Sequence, residues 1–278
     1  MISSLNAYWR FLNRPPSLSS ITTGIDVLPN LSRDVVLLII IFSVIYVIIN
    51  PILSNLLSTK YSAISMRKKK ELPSYILCLV HHIVAVPVAW FNIYADFNLS
   101  WEAAQDIDYA PITAVIAPWC IAYLMTDTIF FAIPEARLGK FEYIIHHALT
   151  LFLVTSSLFG PGSILRFIPH LLISDTTNIF FNTAWLIRLF HGERSIILTF
   201  LEISFAVSFF FIRGINMSSM FWALGSQATG LGLARYALAP IAFMQWYWFY
   251  KIVRIIYLRF VTPGPPKKVD ESCIKKNL

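Results

Sequence analysis

The sequence predicts an all-α fold, a polytopic transmembrane helical bundle of about seven spans. Three observations carry that prediction. Of the 278 residues, 57% are apolar and only 13% are charged, well under the ~25% charged share of soluble domains. The apolar residues fall in runs close to the ~20 residues that cross a bilayer as a helix. Between the runs stand breakers such as Gly160-Pro161-Gly162 and charged loops such as Arg67-Lys-Lys-Lys70.

The first span is expected at roughly 35–57, where Pro51 either kinks or ends it. The next two are expected at roughly 73–94 and 111–133. The fourth, 142–159, is short and closed by Gly160-Pro161-Gly162. The fifth and sixth fall at 167–190 and 195–215. Scattered glycines from 214 to 232 read as a lumenal hairpin or a re-entrant piece, and the seventh span is 235–258. Three parts follow. Residues 1–69 hold an N-terminal segment, the first span and a basic loop. Residues 70–258 hold six helices as one domain, and 259–278 form a Pro- and Lys-rich tail expected to be disordered. Residues 1–14 have no apolar core, so no cleavable signal peptide is expected. Cys78, Cys120 and Cys273 offer no disulfide framework.

Loop charges set the orientation. Lys60, Arg67, Lys68, Lys69 and Lys70 lie between spans one and two, and Arg259, Lys267, Lys268, Lys275 and Lys276 follow span seven. Between spans two and three lie Asp96, Glu102, Asp106 and Asp108, with no basic residue. The positive-inside rule places the first loop and the tail in the cytosol and, with seven spans, the N-terminus in the lumen. Arg10, Arg14 and Arg33 argue weakly the other way. The net charge of +7 is thus a topology signal, and nucleic-acid binding is excluded. Asn30, Asn98 and Asn216 open N-x-S/T sequons, all on expected lumenal segments. Asn30 and Asn98 are the glycosylation candidates, since Asn216 stands too close to the membrane. Lys275-Lys276-Asn277-Leu278 resembles a dilysine retrieval signal of the endoplasmic reticulum, open to coat-protein recognition at a cytosolic terminus.

Ionisable groups at membrane depth are costly, so each is a functional-site hypothesis. Depth follows from the rise of 1.5 Å per residue. Asp127, His146, His147, Asn182, His81, His82 and Glu202 are expected at one level in the cytosolic half. Asp175, His170 and Arg213 are expected nearer the lumenal half, and Gln245 near the middle of span seven. Singly, such a group also serves as interhelical glue worth about 0.6–2 kcal/mol. As a set, His81, His82, Asp127, His146, His147, Asn178, Asn182, Glu202 and Gln245 predict a lipid-accommodating polar cavity. Neighbours on a helix differ by about 100° in direction, so one histidine of each pair faces the cavity and the other a neighbouring helix. A neutral imidazole is a general base, a nucleophile or a metal ligand. No metal is assigned, because adjacent histidines lack the i, i+4 spacing that puts two ligands on one face. No G-x-S-x-G elbow and no Gly-rich phosphate loop occurs. Two matching halves, the mark of many transporters, are also missing.

Several motifs, in order, resemble one family. Span three carries Tyr123-Leu-Met-Thr-Asp127 and span four opens with His146-His147-Ala-Leu-Thr150. Span six carries Phe209-Phe-Phe-Ile-Arg213 and span seven closes with Gln245-Trp-Tyr-Trp-Phe-Tyr-Lys251. Over roughly 70–258 the chain resembles the TLC-domain membrane proteins, which include the ceramide synthases. Those enzymes carry a His-Asp-x-x-Asp element on the next helix. Here the matching stretch is Leu171-Leu-Ile-Ser-Asp175, which keeps only the last Asp. Asp175-Thr-Thr-Asn-Ile-Phe-Phe-Asn182-Thr-Ala-Trp185 is instead similar to the non-synthase, type-4 branch of TLC-domain-containing proteins.

The expected function is that of a multi-pass endoplasmic-reticulum protein that binds, senses or moves lipids and contributes to membrane lipid homeostasis, with membrane lipids as partners and no cofactor. The resemblance also implies an alternative, an acyl-CoA-dependent N-acyltransferase. There acyl-CoA is substrate, and His146, His147, Asp127 and Asp175 are catalytic. A cargo receptor cycling from the endoplasmic reticulum is a third expectation, resting on the dilysine-like tail.

Overall fold

The computed structural model describes residues 30–97, 110–159, 167–192, 195–226 and 234–260. Among these residues the fold is helical, with no strand. The helices are α1 (Leu31–Leu56), α2 (Ser58–Ser62), α3 (Met66–Phe97), α4 (Ala110–Asp127) and α5 (Ile133–Ala136). Then come α6 (Phe141–Phe159), α7 (Phe167–Leu172), α8 (Asp175–His191), α9 (Ile196–Ser208), α10 (Asn216–Ser226) and α11 (Ala234–Phe260). A π-helical turn, Thr128–Ala132, joins α4 to α5, and another, Phe209–Ile215, joins α9 to α10. The result is a bundle of about seven long segments. Four are long and apolar enough to cross a membrane, namely Leu31–Leu56, Met66–Phe91, Ile116–Ala136 and Ile196–Phe221. Segments α6, α7–α8 and α11 complete it.

The first span runs its expected length to Leu56, so of the two readings of Pro51 the one that ends the helix falls away. Three expectations change. Residues 67–70 are the first turn of α3 rather than a loop. Lys and Arg are good helix formers, and Arg67 pairs with Glu71 one turn on at 2.9 Å. The fifth span is not continuous: it turns at Ile173-Ser174, between α7 and α8. Residues 214–226, part of the stretch read as a hairpin or re-entrant piece, continue the sixth span as helix, and the rest of that stretch lies outside the described residues. Gly214 sits in the π turn, where an added Cβ would meet the Trp246 ring at 3.4 Å. The glycine therefore marks a close helix–helix approach. Gly192 is a conventional stop: at φ +84° it closes α8, its N–H returning to the Arg188 carbonyl at 3.2 Å. Ser195 then caps α9 by accepting from the Ile197 N–H.

One apolar core joins α3, α4, α6 and α7 through Ala85, Ala89, Ile116, Ala117, Ile121, Val154, Leu158, Ile168 and Leu172. Its alanines let the backbones approach closely, as small residues do between membrane helices. A second cluster seats Phe42 of α1 among Leu77, Ala122 and Tyr123, with Phe42 edge-on to Trp119 at 4.7 Å. The outer faces of α1 and α9 stay apolar and open: Val44, Val47, Phe200, Ile203 and Val207 are all more than half exposed. That pattern suits a lipid surround.

Candidate functional site

The buried polar residues form two clusters. The first joins α3, α4 and α6. Ser74 Oγ donates to Asp127 Oδ1 at 2.5 Å, and His147 Nε2 lies 2.9 Å from Asp127 Oδ2. On its other side, His147 Nδ1 donates to the Tyr143 carbonyl at 2.8 Å. Both faces of the ring thus meet acceptors. With Asp127 ionised, both nitrogens of His147 donate and the ring has no free lone pair. His146 points elsewhere. Its ring stands edge-on to Trp248 of α11 at 5.3 Å, and its buried Nδ1 has no hydrogen-bond partner. Asp127 is the last residue before a π turn, a feature that often re-aims side chains at functional sites.

The second cluster joins α3, α8, the second π turn and α11. The turn at Ile173-Ser174 leaves Asp175 in the first turn of α8, where a helix N-terminus favours a carboxylate. The Ser174 carbonyl, which already accepts from Thr177 Oγ1 at 2.8 Å, also accepts from Arg213 Nε at 3.1 Å. The same nitrogen reaches Thr177 Oγ1 at 2.7 Å. Arg213 Nη1 donates to Gln245 Oε1 at 3.2 Å and Nη2 to Asn178 Oδ1 at 2.9 Å. A guanidinium only 5% exposed is therefore held chiefly by neutral acceptors. Asp175 Oδ1 is farther off, 3.9 Å from Nη2.

His81 and His82 reach the same carboxylate. His81 Nε2 lies 3.6 Å from Asp175 Oδ2 and His82 Nε2 lies 3.4 Å from Oδ1. The expectation that adjacent histidines face different surroundings holds for His146 and His147 but fails for this pair. Long imidazole side chains bridge the angle between neighbouring positions, and their rings stand edge to face at 5.1 Å. Tyr123 stacks on His81 at 4.1 Å, and Cys78 Sγ lies 3.4 Å from His82 Nδ1.

Depth is also reordered. His81 and His82 share the level of Asp175 and Arg213, whereas Asp127 and His147 form their own group. Asn178 belongs to the second cluster, donating to Asp175 Oδ1 at 3.3 Å, and so does Gln245. Asn182 is buried, with an unpartnered amide nitrogen. Glu202 stands apart from both clusters, as the hydrogen-bond partner of Arg188. His170 contributes its backbone carbonyl, which accepts from Asn216 Nδ2 at 3.0 Å. Asn30 is exposed at the start of α1. Asn98, Lys275 and Lys276 lie outside the described residues. Ser74 and Cys78 were missed as site members, for a lone hydroxyl or thiol in an apolar run carries no sequence signal, whereas Tyr123 and Thr177 stood inside the quoted motifs without being assigned to the site. Arg213 did carry one, as a charge at membrane depth.

The family model of the TLC domain matches residues 74–254. No curated protein matches the chain. The matched stretch runs from Ser74 through Asp127, the paired histidines and Arg213 to the last turns of α11, so both clusters lie within it: the chain belongs to the TLC-domain family.

Proposed function

We propose that this TLC-domain protein is a multi-pass protein of the endoplasmic reticulum that binds, senses or moves a lipid and so contributes to membrane lipid homeostasis. One observation carries the reading. His81 Nδ1, Thr126 Oγ1, His146 Nδ1 and Asn182 Nδ2 are buried polar atoms with no partner, on four segments inside the family domain. Buried polar groups are normally satisfied, and a lipid headgroup entering between the helices would satisfy them. The type-4-like pattern from Asp175 to Trp185 supports lipid handling over ceramide synthesis. The dilysine-like Lys275-Lys276 supports the compartment: changing both to alanine should release the protein to later membranes, and an unchanged distribution counts against retrieval by this tail.

The test is mass spectrometry of lipids extracted from purified protein. A defined lipid near stoichiometric amount is expected, lost in His146→Ala/Asn182→Ala. Only detergent-exchangeable background in the folded wild type would sink the reading.

A specific observation favours a second reading, N-acyl transfer from acyl-CoA. His147 is tied at both nitrogens and His146 is not, so His146 is the imidazole able to attack a thioester. Attack by the ring nitrogen would break the C–S bond and release CoA as thiolate, and an amine would then take the acyl group from the ring, its proton leaving to the thiolate or the freed imidazole. Labelled acyl-CoA with a panel of long-chain amines and lysolipids tests it in enriched membranes. Transfer abolished by His146→Ala supports the enzyme, and none above control membranes rejects it.

A further inference from the structure

We propose that His81, His82 and Asp175 bind a zinc-class divalent cation inside the helical bundle. The proposal is independent of which lipid reading holds.

The spacing of the donor atoms is the first argument. The three ligand atoms all lie within 4.8 Å of one another. Each histidine Nε2 faces a different oxygen of Asp175, at 3.6 Å and 3.4 Å. These separations exceed the usual 2.7–3.2 Å of an N–H···O bond. The same structure shows what such a bond looks like, with His147 and Asp127 at 2.9 Å. Zinc held tetrahedrally by bonds of ~2.0–2.2 Å sets neighbouring ligand atoms roughly 3.4 Å apart. His81 and His82 are spaced from Asp175 as co-ligands of one ion are.

Charge is the second argument. A carboxylate only 21% exposed still favours a paired cation or a metal. Arg213 is the obvious partner, yet its hydrogen bonds run to Ser174, Thr177, Asn178 and Gln245. It comes no nearer to Asp175 than 3.9 Å. Asn178 Nδ2 donates to Asp175 Oδ1 at 3.3 Å, and both imidazoles stand beyond ordinary hydrogen-bond distance. A divalent ion would complete the carboxylate's shell.

Ligand chemistry is the third. Two imidazoles and one carboxylate make a three-ligand set of the kind that leaves zinc a fourth, open position. His81 is 2% exposed and His82 1%, while the Asp175 side chain is 21% exposed, so the open position faces the Asp175 side. The neighbouring guanidinium favours an anionic oxygen there. Stacking on Tyr123 fixes the His81 ring, and the Trp119 indole holds the His81 carbonyl at 3.3 Å. The site is thus built on rigid helix.

The experiment uses full-length protein purified in nanodiscs through a tag without histidine and without chelator. Elemental analysis of the wild type should find about one zinc per chain. After chelator stripping, added cobalt(II) should give the visible absorption of a tetrahedral cobalt ion where the zinc form had none, a readout that needs no variant. Asp175→Asn and His81→Ala should each weaken zinc binding by at least about tenfold, whereas His146→Ala should not. Folded wild type that neither carries zinc nor takes up zinc or cobalt would overturn the proposal. So would full binding in Asp175→Asn and His81→Ala, which would place the ion elsewhere.

Discussion

Two pairs of adjacent histidines meet their surroundings in opposite ways. His147 lies between the Tyr143 carbonyl and Asp127, so its loss would strand a buried carboxylate that keeps, among the described residues, Ser74 as its donor. His147→Ala should therefore destabilise the protein by about 3–5 kcal/mol, the cost of leaving one partner of a buried pair. Ser74→Ala removes one hydrogen bond from the same carboxylate and should cost about 1–3 kcal/mol. His146 touches Trp248 and leaves Nδ1 unpartnered, so His146→Ala should cost less than either. Thermal unfolding in detergent checks the order, and a His146→Ala protein as unstable as His147→Ala would contradict the assignment. The sequence showed that the pairs exist, because charge and polarity at membrane depth are conspicuous. Which ring is tied was not legible: it depends on Ser74 and Asp127, far along the chain, and on the π turn that follows Asp127.

Single backbone irregularities place both clusters, and these were the least legible features at the level of elements. Reading one span over 167–190 passes over the turn at Ile173-Ser174, although Ser174-Asp175-Thr-Thr177 interrupts the apolar residues there, and the Ser174 carbonyl at that turn accepts from Arg213. Glycine misled in the opposite direction. Gly214 is a breaker by type, but the helix runs on through it, with the Trp246 ring packed against the position. At 3.4 Å the contact is ordinary for a methyl group, so Gly214→Ala should be nearly neutral. Gly214→Leu would drive the π turn away from α11 and should cost about 1–3 kcal/mol, as overpacking does. It should also loosen Arg213, one residue earlier, from Gln245. Comparing the melting temperatures of the two variants separates space from backbone freedom, since equal losses would mean that flexibility rather than room is what the position requires.

At the scale of the molecule, fold class was the most legible property, because a bilayer leaves helices no alternative for satisfying their backbones and so imprints length and hydropathy on the sequence. Sidedness is written in the charges, and the structure adds a physical anchor to them. Arg67 and Lys140 both face the buried Glu135, at 3.6 Å and 2.8 Å, which brings the start of α3, the end of α5 and the approach to α6 to one end of the bundle. Lys68, Lys69 and Lys70 belong to that end as well. The positive-inside rule predicts that this is the cytosolic end, and seven spans would then leave the tail on that side and the N-terminus on the other. Cysteine labelling tests both termini at once. In cells permeabilised only at the plasma membrane, an impermeant maleimide should modify Cys273, whereas Ser17→Cys should react only after internal membranes are dissolved. Cys120, at 2% exposure in the bundle, serves as the unreactive reference while the protein stays folded. Labelling of both sites before detergent would mean an even number of spans and would dissolve the argument that places the basic end of α3, and the tail with it, on one side.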